Sequence, residues 1–246
     1  DVLLKQWTVS LGLMANLNDG LDTKWRFYPG IDVSYRPTEA WKLFVSWNMG
    51  LRMPTFTDLY YSGANIEGNS ELKPEKTTDY QIGGRYTTRG FIAEVQGFYS
   101  HKKNMIDWVT YNDANKVSDG IFHSVNFQMD NKGAEINLQM LPRQLWGDNA
   151  LVRKIGVQYS YIYEESDYDV DVIMSKYAMD YLRHKVIVSA DSKIWKNLNL
   201  SLSWRWQDRE GKSNPAYALL DGRLSWDTAK WSAYIDGSNI FDKKYY

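Results

Sequence analysis

The chain has 246 residues, a formal net charge of −1 and 15% aromatic residues, and it contains no cysteine. The balanced charge argues against a nucleic-acid partner, and the missing thiols exclude disulfides, thiolate zinc sites and cysteine nucleophiles. No apolar run reaches the length of about 18 residues that a transmembrane helix needs.

One short segment shows a pattern that recurs along the chain. Residues 198–207 have the sequence LNLSLSWRWQ, so leucine and tryptophan alternate with polar side chains. Successive side chains of a strand point to opposite faces, which gives this segment one apolar and one polar face. Such strands suit a sheet between lipid and an aqueous lumen. The alternative is a soluble β-sandwich, whose strands also alternate but turn their apolar face inward.

The pattern predicts an all-β fold, a transmembrane antiparallel up-and-down β-barrel, with eleven strands in chain order. We place them at residues 4–15, 24–35, 41–50, 76–87, 91–110, 121–140, 153–164, 183–195, 198–209, 216–226 and 230–240. Bacterial single-chain barrels have an even number of strands, and an open sheet edge in lipid costs several kcal/mol for each unpaired backbone group. We therefore expect this chain to form part of a larger barrel.

The connections between these strands alternate in length. Short turns are expected at 36–40, 87–90, 196–197 and 227–229, with an intermediate one at 141–152, and long loops at 51–75, 111–120, 165–182 and 208–215. Outer-membrane barrels have their long loops outside the cell. Aromatic residues near the strand ends suggest the two aromatic girdles of such a barrel. They are Trp7, Trp25, Trp41, Trp47, Trp108, Tyr163, Trp195, Trp204, Trp206, Trp226, Trp231 and Tyr245.

Three motifs are more specific than the alternation. Residues 51–75 contain LRMPTFTDLYY and end in GNSELKPE, residues 131–136 are NKGAEI, and residues 239–245 are NIFDKKY. In this order they resemble the F-R-x-P-x-F-x-x-L-Y…G-N-P-N-L-K-P-E, N-x-G-x-E and N-L-F-D-K-x-Y motifs of TonB-dependent outer-membrane receptors. The matching positions of the first motif are Arg52, Pro54, Phe56, Leu59, Tyr60, Asn69, Leu72, Pro74 and Glu75, while Ser70 and Glu71 depart from it.

The resemblance implies a barrel of about 22 strands with a plug inside it. Residues 1–246 would form the C-terminal part, about 11 of those strands, with the plug domain and the first half of the barrel absent. Its partners would be the TonB complex, reached through the plug, together with outer-membrane lipid and lipopolysaccharide. We expect the motif residues to shape the first long loop, with Glu75 and Lys76 pairing at the strand mouth.

Two polar, aromatic segments are candidates for ligand binding on the long-loop side. Tyrosine gives flat contact area with few rotatable bonds, and asparagine adds hydrogen bonds. The candidate residues are Tyr60, Tyr61, Asn65, Glu67, Asn69, Tyr111, Asn112 and Asp113.

Alternating carboxylates at Asp167, Asp169 and Asp171 form a candidate calcium-binding edge, since an extended chain points all three the same way. A solvated acidic loop is the alternative. Apart from this possible calcium ion, we expect no cofactor.

We expect no enzymatic activity, because the three histidines are far apart in sequence and no G-x-S-x-G motif occurs. The leading hypothesis is a bacterial outer-membrane receptor that takes up a scarce, large nutrient by TonB-coupled transport. Its ligand would be a corrinoid such as cobalamin, or a ferric siderophore or haem. The alternatives are a passive channel and a barrel whose loops dock a partner lipoprotein.

Overall fold

Antiparallel strands joined by tight turns make up most of the chain. The computed structural model describes residues 2–18, 22–112, 117–177, 181–210 and 215–244. The long strands are β2 (Trp7–Asn18), β3 (Asp22–Tyr35), β4 (Trp41–Arg52), β7 (Glu75–Thr87), β8 (Phe91–Asn112), β9 (Phe122–Met140), β10 (Val152–Asp167), β12 (Leu182–Trp195), β13 (Leu198–Arg209), β14 (Tyr217–Asp227) and β15 (Ser232–Gly237). The short elements are β1 (Val2–Leu4), β5 (Ser62–Gly63), β6 (Ile66–Glu67), β11 (Asp171–Ser175), α1 (Phe56–Tyr60) and α2 (Pro142–Trp146). Neither of these two helices is long and apolar enough to cross a membrane.

The main sheet is an up-and-down meander. Its strand order is β1-β2-β3-β4-β7-β8-β9-β10-β12-β13-β14-β15, and each neighbouring pair is antiparallel. All eleven predicted strands are present, which confirms the all-β antiparallel fold. The first strand differs from its prediction because a turn at Lys5 and Gln6 precedes β2, with Lys5 at a φ of 48°.

The apolar face of this sheet is exposed. Leu11, Ile82 and Ile235 expose 72%, 64% and 73% of their surface. In a soluble sandwich these residues would form the core, so the exposed face excludes that alternative. It is the arrangement of a wall that meets lipid.

Aromatic rings form clusters at both ends of this apolar face. At the short-turn end the ring pairs are Trp7–Tyr35, Trp41–Tyr86 and Trp195–Trp226, with centroids 4.4, 4.8 and 6.1 Å apart. Toward the long loops, Tyr80 stacks on Tyr99 at 6.1 Å. The girdle assignment was wrong for Trp108, which is buried beneath the long loops. Tyr245 lies outside the described residues.

The opposite face carries polar side chains that bond to one another. Gln81 donates to Gln96 at 2.8 Å, and Gln96 donates to Glu135 at 2.5 Å, which links three strands. Further along this face are the ion pairs Arg85–Glu94 (3.6 Å), Arg205–Asp221 (4.0 Å) and Arg223–Asp236 (2.6 Å). Charged groups in a membrane protein need water or a partner, so this face is the one that lines the lumen.

Two phenylalanine rings interrupt the polar face, and each lies over a glycine of the adjacent strand. Phe44 covers Gly83 and Phe98 covers Gly133. A methyl group at Gly133 would overlap both the Phe98 ring and the Tyr161 carbonyl oxygen. Gly97, next to this position on β8, has open space instead, because a methyl carbon there would lie 3.8 Å from its nearest neighbour, the Gly133 carbonyl oxygen.

Gly133→Ala should therefore destabilise the barrel by about 1–3 kcal/mol, since overpacking displaces a ring and backbone. Gly97→Ala should change stability by less than about 0.5 kcal/mol. Urea titration of the full-length receptor, refolded into detergent micelles, measures both. Equal midpoints for the two variants would show that Phe98 does not pack as described.

Candidate functional site

The long-loop end is built around a hairpin that projects beyond its neighbours. The last β7–β8 pair is Lys76 with Lys103, and the last β9–β10 pair is Gln128 with Asp167. Beyond these pairs, residues 105–112 of β8 and 122–127 of β9 are no longer paired with β7 or β10. We call these two segments the β8–β9 arm. A bulge at Asn104, whose φ is 54°, separates the arm from the barrel wall.

The loop of residues 53–74 packs against one side of this arm. It opens with α1, whose N-cap Thr55 exchanges hydrogen bonds with Asp58 at 2.9 and 3.1 Å. Ser124 of the arm donates to the Asp58 carbonyl at 2.8 Å, and Asn69 donates to the Ser124 carbonyl at 3.3 Å. Strand β6 then pairs in parallel with Phe122 and His123. The loop therefore crosses the arm and adds a strand to its far edge.

Glu75 holds the end of this loop. The residue is 5% exposed, and its carboxylate accepts from Arg52 Nε at 2.6 Å and from the Ile106 backbone N–H at 2.9 Å. The expected pair of Glu75 with Lys76 was wrong, because adjacent strand residues face opposite ways and Arg52 lies on the same face as Glu75. Leu72 is 2% exposed. Arg52, Leu72 and Glu75 therefore shape the loop, as expected of the motif residues.

The loop between β10 and β12, of which the structure describes residues 168–177 and 181, reaches the arm from the opposite side. We call it the 168–181 loop. Its strand β11 pairs with the outer edge of β8, at Val109 to Asn112. Tyr168 stacks on Phe127 at 4.4 Å and donates a hydrogen bond to Asp107 at 3.1 Å. Ser175 donates to the same carboxylate oxygen of Asp107. Burial, followed by the nearby Asp107 carboxylate, raises the pKa of the Tyr168 hydroxyl.

The two loops pack on opposite faces of the β8–β9 arm. Asp107 and Phe127 share one face of the arm, while Ser124 and Asn126 share the other, by alternation along the paired strands. The 168–181 loop bonds to the first face and the 53–74 loop to the second, where the Lys73 backbone N–H donates to Asn126 at 2.8 Å. Trp108 and Asp107 are consequently buried within a protruding structure.

The predicted ligand residues of the first loop fall into two groups. Tyr60 and Tyr61 are 58% and 50% exposed, and Asn65 and Glu67 are also exposed. Asn69 instead has its side chain committed to the loop, because its side-chain oxygen Oδ1 accepts from the Glu71 N–H at 2.9 Å while its Nδ2 donates to the Ser124 carbonyl.

Phe56, counted only as a motif residue, extends the aromatic surface of the first loop. It is 79% exposed, and its ring lies 5.0 Å from that of Tyr60. The sequence signal for this role is the spacing of Phe56 from Tyr60, because residues four apart on a helix share a face. We call Phe56, Tyr60 and Tyr61 the aromatic platform.

A second group of predicted residues surrounds His123, which sequence reasoning passed over. Tyr111 lies with its ring 5.3 Å from the His123 ring. The His123 nitrogens lie 2.8 Å from Asp119 and 3.7 Å from Glu67, so this histidine joins two loops. The Ile121 backbone N–H, followed by His123, lowers the pKa of Asp119.

Asn112 donates to Asp171 at 2.9 Å. Asp113 lies outside the described residues.

The candidate calcium residues lie along the start of the 168–181 loop. Asp167 ends β10, Asp169 lies in the bend, and Asp171 begins β11. Within the described ranges no three histidine or acidic side chains are close enough to hold a metal ion together. The calcium site stays a prediction.

The exposed apolar wall, the polar lumen face and the elaborated long-loop end together define the wall of an outer-membrane transport barrel. A family model described as "TonB dependent receptor-like, beta-barrel" matches residues 2–240. The chain belongs to this family of non-enzymatic transporters of the outer membrane.

Individual relatives are distant. The chain is 24% identical over 249 aligned residues to the Vitamin B12 transporter BtuB of Photobacterium profundum, an alignment that covers 98% of this chain and 38% of that protein. The siderophore receptor PirA from Pseudomonas aeruginosa superposes with a TM-score of 0.71 at 16% identity, over 98% of this chain and 41% of the receptor. The copper transporter OprC gives a TM-score of 0.72 at 12% identity, over 99% and 40%. The chain thus spans about two fifths of the length of these proteins.

Removing the Glu75 charge tests how the first loop is held. In Glu75→Gln the loop should open, because the partly exposed Arg52 and the Ile106 N–H lose their shared anionic acceptor. Hydrogen–deuterium exchange of residues 56–72 in the full-length receptor should rise at least tenfold.

Arg85→Ala is the matched control, since it breaks an ion pair on the same wall face whose members are 48% and 33% exposed. Exposed pairs contribute about 0–1 kcal/mol, so exchange in residues 56–72 should stay at the wild-type rate. Unchanged exchange in Glu75→Gln would contradict the anchoring role of Glu75.

Proposed function

We propose that this chain is part of a receptor that binds a scarce, large nutrient at its long-loop end and imports it by TonB-coupled transport. The rest of the full-length protein would supply the remaining strands and a plug domain that contacts TonB. The barrel wall would then close, which satisfies the backbone groups at both ends of the present sheet. The long loops would face outside the cell.

The observation that carries the proposal is the aromatic platform. Three aromatic side chains at least half exposed, on one helix and its next residue, offer aromatic contact area at low entropic cost. The Phe56 and Tyr60 rings are inclined to each other by 53°, so they can contact different faces of one large nutrient, such as a corrinoid or a catecholate chelate. The bonded loops beneath it keep the platform in place, which reduces the ordering cost of binding.

The polar lumen face supports transport through the barrel. The bonded row from Gln81 through Glu135 lies across three strands and presents hydrogen-bonding groups to the interior. Such a face suits contact with a hydrated plug or a passing polar solute. A corrinoid is our first choice of ligand, in line with the sequence likeness to a vitamin B12 transporter and the acidic 168–181 loop.

Equilibrium binding of cyanocobalamin to the detergent-purified full-length receptor, with and without calcium, tests the proposal. We expect a submicromolar dissociation constant for the wild type and a loss of at least tenfold in Tyr60→Ser, since contact aromatics contribute on the order of 2 kcal/mol. Trp146→Ser is the matched control, because Trp146 is 70% exposed on α2 at the short-turn end.

Absence of cyanocobalamin binding at micromolar ligand would overturn the corrinoid assignment, and ferric siderophores would be measured next with the same variants. If Tyr60→Ser and Trp146→Ser bound the ligand, corrinoid or siderophore, with the same affinity, the platform would not be the binding surface. Ion conductance of the full-length barrel without TonB or energy would favour the passive channel.

A further inference from the structure

His123 of the β8–β9 arm lies between two carboxylates that belong to different segments of the long-loop end. Its Nε2 lies 2.8 Å from Asp119, in the turn before β9, and its Nδ1 lies 3.7 Å from Glu67 on β6. The histidine side chain is 21% exposed, whereas those of Asp119 and Glu67 are more than half exposed. We call these three residues the His123 cluster.

The geometry of the His123 cluster distinguishes the two charge states of the imidazole. A neutral imidazole has a single N–H, so it can donate to one carboxylate while it turns a lone pair toward the other. An imidazolium has an N–H on each nitrogen and presents a donor to both carboxylates. The separation of 3.7 Å from Glu67 is that of an ion pair, which exists only when the ring is charged. The protonated ring therefore connects both segments, and the neutral ring connects one.

The Asp119 carboxylate is oriented by its own turn. Its Oδ1 accepts from the Ile121 N–H at 2.8 Å, while Oδ2 faces His123. The Ile121 N–H, followed by His123, holds the pKa of Asp119 below its ordinary value. A lowered pKa keeps this carboxylate charged at neutral and mildly acidic pH, and its own contribution is lost only in stronger acid. Histidine is the side chain that ordinarily changes charge between pH 5 and 8.

The neighbouring elements place other groups around the imidazole. On β8, the direct cross-strand partner Val109 is apolar, and the Tyr111 ring packs 5.3 Å away. From the 168–181 loop, the Lys176 ammonium lies 4.6 Å from the ring centre of Phe122, which points to the opposite face of the arm. Asp171 of the same loop lies on β11, beyond β8. The two carboxylates of the His123 cluster thus dominate the field at the imidazole.

Glu67 connects the His123 cluster to the aromatic platform. Strand β6 has two residues, and these pair with Phe122 and His123 of β9. Immediately after β6, the Gly68 N–H donates to the Tyr61 carbonyl at 2.6 Å. So short a strand has few backbone bonds to hold it, so an added ion pair to the arm changes how firmly β6 is held. Tyr61 of the platform is held through the same segment.

We propose that the His123 cluster is a pH-sensitive latch, in which protonated His123 holds β6 against the arm and neutral His123 releases it. The direction follows from the charges: as the pH rises and the imidazole loses its proton, Glu67 loses its cationic partner. The hairpin of β5 and β6 is then held more firmly in mild acid than in mild alkali. Tighter nutrient binding in acid is a further consequence, and it rests on the proposed function.

Hydrogen–deuterium exchange of the full-length receptor without ligand tests the latch. Protection factors of residues 61–68, corrected for the intrinsic effect of pH on exchange, should be about two- to fivefold higher at pH 5.5 than at pH 8.0. The effect is modest because exposed ion pairs are weak. In Glu67→Gln, which leaves the arm unaltered, protection should be the same at both pH values. His123→Gln, which keeps a donor for Asp119, should behave in the same way.

His101→Gln is the matched control, because His101 lies 2.6 Å from Asp130 on the barrel wall, away from β6. This variant should keep the wild-type pH dependence in residues 61–68. Equal protection of the wild type at both pH values would overturn the latch. Retention of the pH dependence by Glu67→Gln or His123→Gln, or its loss in His101→Gln, would also overturn it.

Binding of cyanocobalamin at the same two pH values tests the link to recognition. The wild type should bind about two- to fivefold more tightly at pH 5.5, and His123→Gln should bind equally at both. Wild-type affinity that does not depend on pH would overturn this link. Absence of binding at both pH values would refute the corrinoid assignment of the proposed function. The exchange result would still decide the latch, since it is measured without ligand.

Discussion

A sheet that separates lipid from water must satisfy every backbone amide within itself while presenting a different chemistry on each face. The meander from β2 to β15 meets both demands, since each strand bonds to its neighbours and alternates apolar with polar side chains. The exposed Leu11, Ile82 and Ile235, the bonded Gln96 and the paired Arg223 all follow from this one requirement. The aromatic girdles mark where the lipid ends.

The long-loop end is under a different constraint, because there the sheet extends beyond the lipid into water. A free β8–β9 hairpin would expose backbone edges and apolar side chains to water, which invites aggregation. The two long loops prevent this by adding β6 to one edge and β11 to the other, and by burying Trp108 and Phe127 between them. The same packing fixes the exposed aromatic platform on a firm base, and so links stability to recognition.

Much of the barrel wall was predictable from sequence, but little of the long-loop end was. Apolar and polar side chains alternate in eleven segments, and this alternation predicts strands without knowledge of their neighbours. The short turns between the segments then predict the order of the strands in the sheet. The crossing of the loops carries no such signal, because β5 and β6 have two residues each and the β9 partner of β6 is distant in the chain. Trp108 illustrates the failure: alone it resembles a girdle residue, and its burial follows from its place on the arm face that the 53–74 loop covers. Glu75 similarly pairs with Arg52, since strand register and not sequence proximity decides which charges meet.

Site-directed labelling along β13 tests the two-faced wall most directly. The chain has no cysteine, so single cysteines at residues 200–205 of a full-length receptor that is likewise cysteine-free can be probed one at a time in native outer membranes. A charged maleimide should label positions 201, 203 and 205, which face the lumen. A lipid-soluble reagent should label positions 200, 202 and 204. Uniform reactivity along the segment, or the reverse alternation, would contradict a wall with an apolar outer face and a polar lumen.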